Sequence, residues 1–232
     1  PVARIDQGMS EYRIDLRKLS VRECWNLSPG LFGFGLLLAS KLFRFNLDDG
    51  KPTASYIENL IIVPAEEFPA EVYYCLEKTL ESANDLGLAL AFLYSIPSPK
   101  AQGYAAVFVS PDLQFLVEVI YSRLDERVVT GNTVSSRLHP AGELITTGLK
   151  RSFDPPDGFE VDYLTDQPLE KLVARHRERM PNKPIQPLPD ERKALEYHVL
   201  CRNQEFVRRM VERKIYVICE PEVEAKGDAT ST

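Results

Sequence analysis

The first third of the chain alternates between apolar and polar positions with periods that predict short strands and one helix. Residues 12–16 alternate in the manner of a strand, and the β-branched run at residues 59–63 predicts a second short strand. After Pro69, apolar side chains recur at helical spacing until Gly87, which favours a helix end. The predicted buried stripe of this helix is Val72, Leu76, Leu80 and Ala83.

The middle of the chain carries consecutive β-rich runs separated by short turns. These runs are residues 88–96, 104–109, 113–122, 128–138 and 143–149. Short connections join antiparallel neighbours, because a parallel return needs a crossover of roughly a dozen residues. The pattern predicts an α+β fold in which helices cover an antiparallel sheet of about five strands, followed by a C-terminal helical segment.

The last part of the chain has two helical patterns on either side of a proline-rich stretch. Residues 168–180 and 189–214 are expected to be helices, and the prolines between them are expected to form a stiff connector. Residues 215–219 read as a final edge strand. We therefore predict a sheet domain at 1–165, a helical segment packed on it at 166–219, and a disordered tail at 220–232.

The segment at residues 30–47 is the most apolar part of the chain. Its uncharged run is shorter than the roughly 20 residues that a membrane-spanning helix needs. We interpret it as buried core. The alternative is contact with a partner or a membrane surface, for which aromatic and basic side chains are typical. The candidate contact residues here are Trp25, Phe32, Phe34, Phe43 and Arg44.

Charge is unevenly distributed along the chain, whose formal net charge is −6. An acidic balance argues against a broad nucleic-acid surface. Basic residues concentrate in residues 171–214, where they would either pair with acidic residues of the same chain or contact a partner. The candidate contact residues of this region are Arg175, Arg179, Arg208 and Arg209.

No catalytic or metal-binding motif is visible. The glycines near residue 30 lack the order of a phosphate-binding loop, and no histidine has a second ligand at metal-binding spacing, so we predict no cofactor and no metal. His176 lies on the apolar stripe of its helix and is expected in the core. Glu118 and Glu143 are interpreted as solvated charges near strand ends. The widely spaced cysteines favour buried, reduced thiols.

These observations predict a non-catalytic interaction or regulatory module in the cytoplasm. Its expected partner is another protein or a second copy of the chain, with a membrane surface as a further candidate and nucleic acid disfavoured. The alternative is a small-molecule-binding protein or an enzyme with a pocket between the sheet and the helices.

Overall fold

The computed structural model describes residues 11–28, 30–43, 54–55, 58–96, 101–124 and 126–219. The α-helices of this part are α1 (Val21–Leu27), α2 (Leu31–Phe43), α3 (Ala70–Asp85), α4 (Leu169–Arg179) and α5 (Arg192–Glu212). The first strands are β1 (Glu11–Ile14), β2 (Ala54–Ser55), β3 (Ile61–Ile62), β4 (Ala89–Ile96), β5 (Ala101–Val109) and β6 (Leu116–Leu124). They are followed by β7 (Arg127–Leu138), β8 (Glu143–Thr147), β9 (Phe159–Tyr163), β10 (Ile185–Gln186) and β11 (Tyr216–Ile218).

The main sheet has eight strands, in the order β3-β4-β5-β6-β7-β8-β9, with β10 paired to β7. All of its pairs are antiparallel except β8 with β9, which run parallel. The α+β class is therefore confirmed, but the predicted sheet of about five strands is too small. One of the added strands, β10, lies inside the proline-rich stretch that was expected to be only a connector.

Helices α3 and α4 cover one face of the main sheet. The predicted stripe of α3 is confirmed at Val72, Leu76 and Ala83, which are buried, whereas Leu80 is half-buried. On α4, Leu172 and His176 are fully buried, as expected for His176. Burying a leucine side chain stabilises a fold by about 1.5–3 kcal/mol, so these two stripes fix both helices on the sheet.

Helix α5 covers part of the opposite face. Its first half is held there by Leu195 and Val199, which pack against Phe92 and Leu116 of the sheet. The alternation of side chains along the strands explains why the same sheet has two cores, because neighbouring residues point to opposite faces. The second half of α5 borders the cleft described below.

A small second sheet joins the two ends of the described chain. Its order is β11-β1-β2, so the predicted final strand is confirmed but pairs with the start of the chain. Leu19 and Cys24 pack there against Met210 and Ile215. The predicted tail at 220–232 lies outside the described residues.

Helix α1 is tied to the end of α5 by a buried carboxylate. Glu23 completes a capping box with Ser20 and is fully buried. Arg213 donates to Glu23 Oε1 over 2.7 Å and to the backbone carbonyl of Asp154 over 2.7 Å. A buried charge needs a partner of this kind, so these contacts hold α1, α5 and the loop at Asp154 together.

Candidate functional site

The outer side of α2 is an exposed row of large apolar side chains. Phe32 and Leu31 are 82% and 77% exposed, and Leu42 is 68% exposed. Only the inner side packs against the rest of the protein, where Phe34 and Leu37 contact the cluster of Leu19, Cys24, Met210 and Ile215. The expected burial of this segment therefore holds for one face alone. Sequence could not separate the two faces, because the helix is apolar on nearly every side.

Helix α1 continues this surface. Val21 and Trp25 are about half exposed, and the Trp25 ring meets the Phe34 ring edge-on with centroids 5.2 Å apart. We call this surface the α1–α2 apolar face. Its exposed members are Val21, Trp25, Leu31, Phe32, Leu36 and Leu42.

The exposed charges beside this face are basic. Lys18 and Arg22 are exposed, and neither forms an ion pair with any residue that the structure describes. The acidic residue of the segment, Glu23, is buried against Arg213. Lys41 is held inward, since its Nζ donates to the backbone carbonyl of Leu19 over 2.7 Å. This part of the surface is therefore positively charged, although the chain as a whole has a net charge of −6.

The predicted contact residues of this segment are placed as follows. Trp25 and Phe32 are exposed, and Phe34 is half-buried beneath Trp25. Phe43 is the last residue of α2, and Arg44 lies outside the described residues.

The predicted basic residues of α4 are engaged within the chain. Arg175 forms ion pairs with Asp162 at 2.8 Å and with Glu178 at 3.2 Å. Arg179 is turned against the sheet, where it donates to Thr146 Oγ1 and to the backbone carbonyl of Glu160, both over 2.8 Å. These contacts of Arg175 and Arg179 fix α4 on the sheet. No described contact joins either side chain to the α1–α2 apolar face.

The predicted basic residues of α5 are engaged along their own helix. Arg208 pairs with Glu205 at 2.6 Å and also with Glu212. Arg209 pairs with Glu205 at 2.6 Å. Pairs at this spacing on an exposed helix contribute about 0.3–0.5 kcal/mol each, so they support the helix modestly.

A buried polar network lies between α5 and the sheet. Arg202 pairs with Glu118 and donates to Ser135 Oγ over 2.8 Å. The Tyr94 hydroxyl donates to Glu118 Oε1 over 2.7 Å, and burial together with that carboxylate raises the pKa of Tyr94. Glu118 is 3% exposed, so the expectation of a solvated charge near a strand end is wrong. Its position in mid-strand faces α5, which supplies the compensating arginine.

Glu143 is the second buried carboxyl group of this region and lacks such compensation. It is 7% exposed, again contrary to the expected solvated charge. Its Oε1 lies 3.7 Å from Nε2 of His198, and neither its Oε2 nor that nitrogen has a hydrogen-bond partner. Burial raises the pKa of Glu143 to about 7, and burial and Arg202 lower the pKa of His198 to about 3. Perturbed groups lining a cleft are candidates for a functional site.

A serine and a histidine also meet on the other face of the sheet, but in a structural arrangement. Ser136 Oγ donates to the backbone carbonyl of Gln114 over 2.7 Å, so it accepts from His176 Nε2 at 2.9 Å. A neutral imidazole has one N–H, so the other ring nitrogen accepts from the Thr146 hydroxyl at 3.1 Å. A serine activated for attack would donate to the imidazole instead. Burial lowers the pKa of His176 to about 3, so the ring is neutral.

Other site types find no support among the described residues. No group of three acidic, histidine or cysteine side chains in that part of the chain could hold a metal ion. None of the four cysteines forms a disulfide, and Cys24 is buried whereas Cys75 is exposed, so the expected burial of the thiols fails at Cys75. Within the residues described, no helix has the length and apolar character needed to cross a membrane.

Comparison with known proteins gives no relative from which a function could be carried over. No family model, curated protein or solved structure matches this chain. The function must therefore be inferred from the geometry of the chain itself.

Proposed function

We propose that this chain is a non-catalytic interaction module that binds an anionic membrane surface through the α1–α2 apolar face. The observation that carries the proposal is the exposure of Phe32 and Leu31, 82% and 77%, on a helix whose outer side bears no charge. Isolated exposed leucines are common on protein surfaces, but a contiguous apolar face marks an interaction site.

The apolar side chains supply enough free energy for reversible binding. Moving an exposed leucine or phenylalanine from water into an apolar environment contributes about 1.5–3 kcal/mol. Several residues of the face would insert together, since Leu31, Phe32 and Leu36 lie on one side of α2. A short helix lying in the plane of the membrane interface uses its apolar side in this way without crossing the bilayer.

Electrostatics favours a lipid surface over a generic apolar partner. Lys18 and Arg22 are exposed beside the face, and each basic residue near an anionic membrane contributes about 1 kcal/mol. The carboxylate of the same segment, Glu23, is buried and neutralised by Arg213. Trp25 adds a side chain with an apolar ring and a polar N–H, which is typical of the membrane–water boundary.

The proposal includes a cytoplasmic location. Anionic lipids are concentrated in the cytoplasmic leaflet, where a basic flank would be attracted. The four cysteines form no disulfide, which fits the reducing conditions of that compartment.

The test is co-sedimentation with lipid vesicles. We expect the chain to bind vesicles of mixed phosphatidylserine and phosphatidylcholine, and to bind phosphatidylcholine vesicles more weakly. Phe32→Glu should abolish binding, because it places a charge in the middle of the inserted face. Tyr74→Glu is the matched control, since Tyr74 is an exposed aromatic residue on α3, outside the face, and is 71% exposed. This control should bind like the unchanged chain.

The same variants distinguish the other occupants of the face. Failure to bind anionic vesicles would overturn the proposal. If that failure is accompanied by a dimer in sedimentation velocity that Phe32→Glu dissociates, the face is a contact between copies of the chain. Equal losses for Phe32→Glu and Tyr74→Glu would show that the binding is not specific to the α1–α2 apolar face.

A further inference from the structure

A cleft between the second half of α5 and strands β7–β9 consists of two adjoining cavities of different character. The first has a volume of about 300 Å³, and its walls are mainly apolar and aromatic, including Ile145, Phe153, Val161 and Phe206. The second has a volume of about 500 Å³ and is lined by charged side chains. Phe159 and Arg202 line both cavities, so the two share a wall. Volumes of this size are typical of sites for small molecules.

Arg137 supplies a cation to the polar cavity. The other arginines that line it are neutralised: Arg202 by Glu118, and Arg208 and Arg209 together by Glu205 and Glu212. Among the described residues, none forms an ion pair or hydrogen bond with the Arg137 guanidinium. Glu143 lies opposite Arg137 in the register of β7 and β8, but the guanidinium forms no ion pair with it, so this half-buried arginine is suited to binding an anionic group from outside the chain.

Glu143 and His198 lie beside Arg137 in the same cavity. Glu143 is only 7% exposed. Neither its Oε2 nor Nε2 of His198 has a hydrogen-bond partner. A buried polar atom without a partner destabilises the folded state, so its retention needs a reason. A ligand that enters the cavity and brings its own polar group provides that reason.

We propose that this cleft binds a small organic acid, with the carboxylate held by Arg137 and the hydrocarbon or aromatic body held in the adjoining apolar cavity. Three observations indicate such a ligand. Arg137 has no ion-pair partner, Glu143 and His198 each have an atom without a hydrogen-bond partner, and the two cavities share a wall. The site is separate from the α1–α2 apolar face and adds a ligand to the proposed membrane-binding module.

Protonation of Glu143 regulates this site. The groups that face Glu143 are Arg137 on β7, Glu118 on β6, and His198 and Arg202 on α5. Further titratable or charged residues that line the cavity are Asp157, Cys201, Glu205, Arg208 and Arg209. An ionised Glu143 competes with the ligand for the positive charge of Arg137, whereas a protonated Glu143 does not. Binding should therefore be tighter near pH 6 than near pH 8, since burial raises the pKa of Glu143 to about 7.

The experiment is isothermal titration of the full chain with four probes. Cinnamate and decanoate combine a carboxylate with an aromatic or an aliphatic body. Acetate lacks the body, and cinnamamide lacks the charge. We expect cinnamate or decanoate to bind at least about tenfold more tightly than acetate, and cinnamate about tenfold more tightly than cinnamamide. Equal binding of cinnamate and cinnamamide, or no advantage of either acid over acetate, would overturn the proposal.

Two variants assign the binding to the cleft. Arg137→Gln should weaken cinnamate binding by about tenfold or more, whereas Arg127→Gln, an exposed arginine on the same strand, should leave it unchanged. Glu143→Gln should remove the difference in affinity between pH 6 and pH 8. Unchanged binding in Arg137→Gln contradicts the proposed anchor. Neither cleft variant should change vesicle binding, so this inference and the membrane proposal fail separately.

Discussion

Substitution of Glu143 by glutamine should stabilise the protein at neutral and alkaline pH. Burial raises the pKa of this carboxyl from 4.5 to about 7, because the ionised form is poorly compensated between β8 and α5. The folded state therefore holds a proton that the unfolded state has already released, and stability falls as the pH rises from 4.5 to about 7. A difference of about 2.5 pH units at about 1.36 kcal/mol each corresponds to a cost on the order of 3 kcal/mol.

Glutamine resembles the protonated carboxyl in shape and carries no charge at any pH. The stability advantage of Glu143→Gln should therefore be small near pH 4.5 and grow by about 3 kcal/mol toward pH 8. The assay is urea unfolding of both proteins across that pH range, with the change in free energy compared at each pH. The contribution of His176 cancels in this comparison, because both proteins contain it and it lies on the other face of the sheet.

A matched control is Glu77→Gln on α3, where the side chain is exposed. This substitution should change the free energy of unfolding by less than about 0.5 kcal/mol, because it lies on the surface away from buried groups. A pH-independent difference for Glu143→Gln would refute the reasoning, since it would mean that Glu143 is not held in a protonated form by its surroundings.

Three further predictions concern the packing of the sheet, and each is measured by denaturant unfolding. Leu76→Ala should destabilise the fold by about 2–5 kcal/mol, because Leu76 is 1% exposed on the buried face of α3; a change near zero contradicts this. Arg202→Met should cost about 3–5 kcal/mol by leaving Glu118 charged and unpaired, and adding Glu118→Gln should recover part of that loss. If the double variant is no more stable than the single one, the pair is not coupled. Gly142→Ala should cost about 1–3 kcal/mol, because a Cβ at its φ of +135° would meet the Gly158 carbonyl oxygen at 2.5 Å; unchanged stability would argue against that clash.

The parts of the fold that sequence predicted well are those determined by local patterns. The stripe of α3 and the strand-turn-strand order of β4, β5 and β6 depend on residues close together in the chain. Spacing alone therefore identifies them. The same holds for His176, whose place on the apolar stripe of α4 correctly predicted burial.

The missed strands are those that depend on partners distant in sequence. β9 pairs in parallel with β8 after an intervening loop, and β10 adds Ile185 and Gln186 to β7. Both are short and lie in or beside proline-rich stretches, which on local grounds favour turns and connectors. The pairing of β1 with β11 joins opposite ends of the chain and has no local signal at all.

The cleft could not be predicted from the sequence either. Glu118 and Glu143 look like ordinary strand charges until α5 is placed over them, and the cationic partner of Glu118, Arg202, is far along the chain. The sequence also did not predict which face of α2 is exposed. A helix that is apolar on nearly every side gives no indication of which side packs, so Phe34 and Phe32 could not be told apart.

The most direct test of the membrane proposal is the fluorescence of Trp25 during titration with anionic vesicles. Trp25 is the single tryptophan of the chain and belongs to the α1–α2 apolar face, where it is 52% exposed. We expect its emission to shift to shorter wavelength on addition of phosphatidylserine-containing vesicles and to be quenched by brominated lipid, with both effects lost in Phe32→Glu. An emission spectrum that stays unchanged at saturating anionic lipid would contradict membrane binding through this face.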